Sequence, residues 1–387
     1  MQRIVCPERP NWREQAQEFG FHFHTLNNQP YWDETAYYQF TLNQIEQDLE
    51  QPAEEIQQMC LQAVDTVVND AAWLTRFGIP ERYWDLIKNS WDRDEPSLYA
   101  RLDFAYDGLG PAKLYENNAD TPTSLYETGF WQWLWLEQQI DAGVLPKTAD
   151  QFNSLQERLI QRLGQIYQGH EDRYFYFSCC QGSLEDRGTV QYLQDCAAEA
   201  GIAEKFIFIE DVGEGEDGSF TDLDNQVIEL MFKLYPWEFM FSDDYGRLLP
   251  RQGTQWLEPA WKSVLSNKAL LPLLWRLYPK HPNLLPAFFE DEPRRLDSGD
   301  WIKKPLFSRE GSNISHYRQG EVISQTPGPY GQEGFIYQKY HPLPEFAGNH
   351  ALIGAWLVND QAAGIGIRED CTPVTQDTSR FLPHCLL

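Results

Sequence analysis

The sequence predicts an α+β fold of two or three lobes. Three observations carry that prediction: helical periodicity through most of the first 95 residues, alternating segments about a turn between residues 98 and 120, and a return to strands over the last hundred residues. At 387 residues the chain exceeds what a single hydrophobic core usually organises. Hydrophobic residues make up 42% and aromatics 14%, enough to bury a core and to exclude a disordered chain.

Taken in order, residues 1–95 are predicted as a helical N-terminal segment packed on the core. It includes the apolar-periodic stretch Thr41 to Asn69 and YWDLIKNSW from Tyr83. LYARLDFAYDGLGPAKLYENNAD alternates on both sides of a DGLGP turn, the pattern of a β-hairpin. A helix is predicted from about Ser124 to Ile140. Its FWQWLWLEQQI run is apolar almost all round and so predicted to be buried. Another follows from about Ala149 to Tyr167. RYFYFSCCQ and KFIFIED are predicted strands joined by the helix GTVQYLQDCAAEAG, a βαβ unit that implies a parallel sheet in an inserted α/β lobe, about 170–235. Residues 236–289 are predicted as Pro-punctuated helix, followed by the strands WIKKPLF, GFIYQKY, HALIGAWLV and AAGIGIR.

Charge excludes some partners. Against 31 Lys+Arg stand 58 Asp+Glu, a net charge of −27. Such a surface repels nucleic acid and anionic membranes and draws in cations, polyamines and Mg²⁺ among them; an acidic surface that serves only solubility is the plainer alternative. Seven cysteines in no metal-ligand spacing, with Cys179 beside Cys180, fit reduced thiols. The N-terminus shows no apolar signal region and no apolar run reaches membrane-spanning length, so a cytoplasmic protein is expected.

The hairpin carries the first chemical signal. If it turns symmetrically, Asp103 faces Glu116 and Arg101 faces Asn118, and all four side chains share one face. Two carboxylates and an amide oxygen are hard donors suited to Mg²⁺. The neighbouring arginine suits charge on a transferred phosphoryl group. The alternative is a surface hairpin with solvated charges, and a one-residue slip would scatter the set.

Three further segments offer cations. KPLFSREGSN places Lys304, Arg309, Gly311, Ser312 and Asn313 after a strand, where cations and a glycine turn can cover a phosphate. SNKALLPLLW sets Lys268 ahead of an apolar helix; a bound anion would explain a cation there, and a lysine reaching solvent would serve as well. GIGIRED ends a strand with Arg368, which could be an ion-pair partner or a second phosphoryl-charge stabiliser. GEGEDG (213–218) matches a dinucleotide glycine pattern, but Glu214, Glu216 and Asp217 would repel a pyrophosphate, so an exposed acidic loop is predicted. No GxSxG elbow, zinc set or Cys/His pair is visible. His22 and His24 fall on a predicted aromatic strand where packing is the simpler role. Glycoside hydrolysis needs only two carboxylates, of which the chain has a surplus.

RLDF (101–104), YENNADTPTS (115–124), SNKALLPLL (266–274), KPLFSREGSN (304–313), IYQ (336–338) and IRED (367–370) together resemble the glutathionylspermidine synthase family, in order over roughly residues 100–370. The likeness is to the synthetase part alone, in its stand-alone bacterial acid–amine ligase branch. The FHF-like N-terminus, the Trp-rich helix and the TSRF end (378–381) also match.

The resemblance implies an ATP-grasp fold across residues 96–387, with an additional pre-ATP-grasp-like α/β lobe. It implies magnesium ligands at Asp103, Glu116 and Asn118, a transition-state arginine at Arg101 and a second near the γ-phosphate at Arg368. Nucleotide contacts fall on Arg101, Lys268, Lys304, Gly311, Gln338 and, by main chain, Leu352. The implied reaction is ATP- and Mg²⁺-dependent joining of a carboxylate to an amine through an acyl phosphate, with release of ADP. Two family serines that touch the peptide substrate are here Thr121 and Thr123, Arg309 keeps a third such position, and SLEDRGT (183–189) replaces an acidic stretch. With the likeness confined to the synthetase part, no amidase domain is expected before the ligase region. A peptide-like carboxylate and an amine, a polyamine among the candidates, are therefore expected, without glutathione or spermidine being singled out. The rival reading is a degenerate nucleotide-binding module without turnover; retention of Arg101, the metal trio, both lysines and Arg368 favours the enzyme.

Overall fold

The computed structural model describes residues 1–387 apart from 27, 252, 293–297, 310, 374 and 376–378. Thr378 of the TSRF end and Glu310 of KPLFSREGSN thus lie outside the described residues.

The predicted hairpin forms, with strands Tyr99–Ala105 and Lys113–Asn118, and it occupies one side of a six-stranded sheet. Tyr99–Ala105 is an inner strand, flanked by Lys113–Asn118 and by the long strand Asn349–Val358; Gln361–Asp370 and Arg380–Leu382 follow, and Glu345–Phe346 pairs with Asn349–Val358. Alternation explains why this strand is buried throughout. Ala100, Leu102 and Phe104 join Ile353, Ala355 and Leu357 in an apolar layer under the helix Gln51–Val68, which contributes Ile56, Cys60, Ala63, Val64 and Val67. The opposite face carries Tyr99, Arg101 and Asp103.

The register is the expected one: Arg101 opposite Asn118 and Asp103 opposite Glu116. Near the turn it differs, because Phe104 faces Leu114 and Ala105 faces Lys113, leaving Tyr115 as the extra residue of a bulge. A turn symmetric about DGLGP does not by itself produce the ligand register; the bulge supplies the missing residue.

Behind the hairpin lies a four-stranded parallel sheet, in the order Gln255–Leu257, Leu230–Leu234, Phe175–Cys179, Glu204–Phe208. The helix Leu184–Glu199 connects two of its strands, as the strand–helix–strand pattern predicts, and Ser183 Oγ caps it by accepting from the Asp186 N–H. A five-stranded antiparallel sheet, Ala287–Phe289, Phe335–Lys339, Asp300–Pro305, Ser315–Arg318 and Glu321–Gln325, faces the hairpin from the other side.

Several expectations need correction. Helix covers Leu42 to Asp92, but the first forty residues contribute the strands Gln2–Val5 and Ala36–Phe40, joined by His384–Leu386. Their sequence is too short and irregular to show that pairing. His22 and His24 lie in turns, not on a strand. The 236–289 region includes the strands Gln255–Leu257 and Ala287–Phe289 beside its helices. In the tryptophan-rich helix Trp131 and Trp135 are buried, whereas Trp133 is 41% exposed. GEGEDG begins a short strand pair whose Glu214 bridges Arg247, consistent with an exposed loop. All seven cysteines are unpaired. Among the described residues no helix is long and apolar enough to cross a membrane.

Two buried ion pairs fasten the parallel sheet to the hairpin. Asp120 accepts from Lys233 Nζ at 2.6 Å and from the Trp237 N–H at 2.8 Å. Glu258 accepts from the Leu98 and Tyr99 N–H groups and from Lys262, which also donates to the Tyr99 carbonyl. Glu258→Ala strands Lys262 in the interior, so urea unfolding should show a loss of about 3–5 kcal/mol; a loss below about 1 kcal/mol would mean that the pair does not fasten the strand.

Candidate functional site

On the polar face of the hairpin, Arg101 and Asp103 are 7% and 3% exposed. Arg101 Nε and Nη2 donate to the two oxygens of Asp103 at 2.7 and 3.0 Å, and Nη1 donates to the Thr123 carbonyl at 2.8 Å. Asn118 Nδ2 donates to Asp103 Oδ2 at 3.0 Å. The guanidinium can lie flat because Gly354 stands opposite Asp103 in the ladder: a β-carbon there would come within 2.7 Å of Arg101 Cδ. Trp356, opposite Arg101, puts its ring 5.7 Å from the guanidinium carbon.

Glu116 reaches Lys268 Nζ at 3.3 Å, and Lys268 also donates to the Ser308 carbonyl. Lys304 Nζ donates to Gln338 Oε1 at 2.9 Å and to the carbonyl of the bulged Tyr115 at 3.2 Å. Gln338 in turn donates to the Leu114 carbonyl. The bulge therefore serves the site, since the carbonyls of Leu114 and Tyr115 anchor Gln338 and Lys304. Burial pushes the Glu116 carboxyl up, but Lys268, Lys304 and Arg101 outweigh it and hold it down at about 2. Burial lowers Lys304 to about 8, with Lys268 adding to the effect and Glu116 opposing it. Burial disfavours charge on Arg101 too, yet Asp103 and Glu116 raise its affinity for the proton.

Most of the residues singled out in the sequence line one cavity of about 500 Å³: Arg101, Asp103, Glu116, Asn118, Thr121, Thr123, Lys268, Lys304, Arg309, Gly311, Gln338, Leu352 and Arg368. Ser312 and Asn313 of the predicted phosphate-covering turn are not in its lining, and Asn313 is hydrogen-bonded to the Gly328 carbonyl and the Tyr330 N–H. Arg309 Nη1 donates to Thr121 Oγ1 at 2.7 Å. Arg368 lies opposite Leu352 in the ladder, with its guanidinium 5.2 Å from the Phe381 ring. Its neighbour Glu369 points to the other face and pairs with Arg3 and Arg380. The acids flanking Arg368 in sequence are thus engaged elsewhere. The anion that accounts for Lys268 ahead of the helix Leu270–Leu277 is Glu116.

The cavity has an acidic end lined by Asp120, Glu185, Asp186 and Glu238; Glu185 and Asp186 belong to the SLEDRGT stretch already noted in the sequence, whereas Asp120 and Glu238 were missed. Burial and Asp120 raise the Glu238 carboxyl above its ordinary range. One signal was available: Lys233 is the lone charge in the apolar strand Leu230–Leu234, which implies a buried acidic partner, and that partner is Asp120. Glu238 stands among many acids and carries no such mark.

Comparison with known proteins places the chain in a family. The family model described as glutathionylspermidine synthase preATP-grasp matches residues 3–387. A Haemophilus influenzae protein named "Putative acid--amine ligase" is 40% identical over 396 residues, covering 99% of both chains. Trypanothione synthetase of Crithidia fasciculata is 29% identical over 83% of this chain, and the bifunctional glutathionylspermidine synthetase/amidase of Escherichia coli is 28% identical over 92%. The matches span only 52% and 60% of those two longer proteins. In fold, the chain is similar to a glutathione synthetase-like effector of Globodera pallida, with a TM-score of 0.56 at 11% identity, over 99% of this chain and 100% of that one. Matched along nearly its whole length by the family model and by a full-length relative, the chain belongs to the glutathionylspermidine synthase family of ligases.

Proposed function

We propose that the protein is an ATP- and Mg²⁺-dependent carboxylate–amine ligase of ATP-grasp type, forming an amide through an acyl phosphate with release of ADP. The observation that carries this reading is the convergence of Arg101, Lys268, Lys304 and the Asp103–Glu116–Asn118 trio on one wall of a single cavity. Its volume is in the range of small-molecule sites. The division near residue 95 and the α/β lobe at about 170–235 belong to the same proposal.

The trio fits a hard divalent ion. Among the described residues no three His, Cys, Asp or Glu side chains are grouped to hold a metal, so the third protein ligand is an amide. That set leaves positions for water or phosphate oxygen, as Mg²⁺ prefers. Asn118 now turns its nitrogen to Asp103, and a half-turn of the amide presents its oxygen instead. When bound, the ion would neutralise phosphate charge. Asp103, Glu116 and Asn118 would hold it; Lys268, Lys304 and Arg101 would exchange their carboxylate partners for phosphate oxygens; Gln338 and the Leu352 main chain would seat the nucleotide. Arg101 and Arg368 would stabilise charge on the transferred group. Thr121, Thr123 and Arg309 are assigned to the carboxylate substrate, and the acidic end of the cavity to a cationic amine, with a polyamine as one candidate.

ADP release measured across a panel of carboxylates and amines tests the reaction class; no release with any pair would favour the nucleotide-binding module. Asp103→Ala and Glu116→Ala should abolish turnover with the fold intact by circular dichroism, and ATP hydrolysis surviving both changes would sink the metal assignment. Arg101→Ala should retain nucleotide but lose turnover on the order of a thousandfold; unchanged kcat removes its role. Because Arg101 and Lys268 already occupy the two carboxylates, Mn²⁺ titrated alone and followed by electron paramagnetic resonance should bind at least tenfold more weakly than Mn²⁺ with ADP. Equal affinities would contradict the exchange of partners.

A further inference from the structure

Behind the acidic end of the cavity, three segments remote in sequence meet at one hydroxyl. Tyr31 Oη lies 2.5 Å from Glu127 Oε1 and 3.0 Å from Glu185 Oε1. Tyr31 is 2% exposed and Glu127 1%, whereas Glu185 lines the cavity. The phenol ring is fixed between Phe23 and Phe381, with centroids at 5.7 and 4.9 Å. Glu127 opens a π-helical turn, Glu127–Trp131, a local widening that recurs at functional sites.

Counting hydrogens decides the protonation state. Two hydrogen bonds at one phenol oxygen to two carboxyl groups need two hydrogens, and a phenol carries one. The second must sit on a carboxyl, so the pair holds one acid proton between them. Glu185 lies in the first turn of the helix Leu184–Glu199 and is open to the cavity. Glu127 is sealed from water, and its Oε2 has no hydrogen-bond partner among the described residues, which an ionised carboxylate tolerates poorly. Glu127 therefore donates to Tyr31, and Tyr31 donates to Glu185. Burial and then Glu185 push the Glu127 carboxyl up to about 8, with Arg368 opposing; Tyr126 is the other titratable group beside it.

We infer that Glu127, Tyr31 and Glu185 form a hydrogen-bonded relay, one that orients rather than conducts, in which Glu185 is the base for the amine substrate. This rests on the ligase reading above. The amine arrives as an ammonium and gives one proton to the Glu185 carboxylate. The freed nitrogen lone pair forms the bond to the acyl carbon, the bond from that carbon to the phosphate oxygen breaks with its electron pair on phosphate, and the departing phosphate takes the second proton. Hydrogen bonding through Tyr31 to neutral Glu127 fixes the orientation of Glu185, which returns the acquired proton to solvent through the cavity it lines before the next turnover.

The shared proton is tested on the protein alone. Glu127→Gln keeps a donor toward Tyr31, so it should fold. A carboxyl held neutral in the folded protein ionises freely in the unfolded chain, so its stabilising contribution is present below the ordinary glutamate range and lost as pH rises toward 8. The melting temperature of Glu127→Gln should match the parent at pH 5 and exceed it at pH 8; parallel profiles would overturn the shared proton. The relay's role is tested with the carboxylate found in the screen, paired with 1,3-diaminopropane, an ammonium at pH 7, or with hydroxylamine, which is already neutral. Glu185→Gln and Tyr31→Phe should reduce kcat about a hundredfold for the diamine and far less for hydroxylamine. Equal losses, or a screen that yields no acid–amine pair, would remove the relay from amide formation while leaving the melting result to stand or fall alone.

Discussion

The candidate site depends on the register of one β-ribbon. Side chains two apart on a strand share a face, so a slip by one residue between Tyr99–Ala105 and Lys113–Asn118 would turn Glu116 and Asn118 away from Arg101 and Asp103. The register is held from both sides. Ala100, Leu102 and Phe104 are committed to the apolar layer beneath, so the strand cannot rotate without exposing them. The bulge at Tyr115 is held by cations and amides from another sheet: Lys304 on the Tyr115 carbonyl and Gln338 on that of Leu114. The residues assigned to the nucleotide thus also lock the ribbon that carries the metal trio.

Electrostatics within the cavity oppose the electrostatics of the whole. At −27 the chain repels a polyanion at long range, yet Arg101, Lys268, Lys304, Arg309 and Arg368 are gathered at one cavity. Each of the inner cations has a carboxylate or carbonyl partner, because an uncompensated charge in so buried a place would be costly. On the proposed reading, a nucleotide already carrying its divalent ion would bring less charge against the acidic surface, and it would bring what the site needs to exchange partners: phosphate oxygens for the cations and a metal for the carboxylates. The glycine at position 354 belongs to the same arrangement, since it alone lets the Arg101 side chain lie across the neighbouring strand.

What could be read from the sequence follows from how local the determinants are. The hairpin was legible because alternation and a DGLGP turn sit within twenty residues, and the strand–helix–strand unit because its periods change sharply. The bulge was not, since Tyr115 fits a regular strand and departs from one only because Lys304 and Gln338 compete for nearby carbonyls. The strands Gln2–Val5 and Ala36–Phe40 were hidden for a related reason. They are completed by His384–Leu386 from the other end of the chain, a pairing that no local window contains. The lysines could be named as candidates but their partners could not. Lys268 looked like a cation awaiting an anion, and the anion was the predicted metal ligand itself.

The two ends of the cavity differ in the same respect, and this bears on how such a ligase acquires a substrate. The end proposed for phosphate is built around one ribbon whose residues support each other at close range, so a change there would disturb the proposed metal and nucleotide contacts and the strand register together. At the acidic end Glu185 is backed by Tyr31 and Glu127, carried on the start of a helix, a loop and a helix turn, each packed into its own surroundings. A substitution at Glu185 or in the SLEDRGT stretch leaves the ribbon untouched. Structure at that end can therefore be altered for a new acid or amine without loss of the proposed phosphoryl-transfer residues on the ribbon.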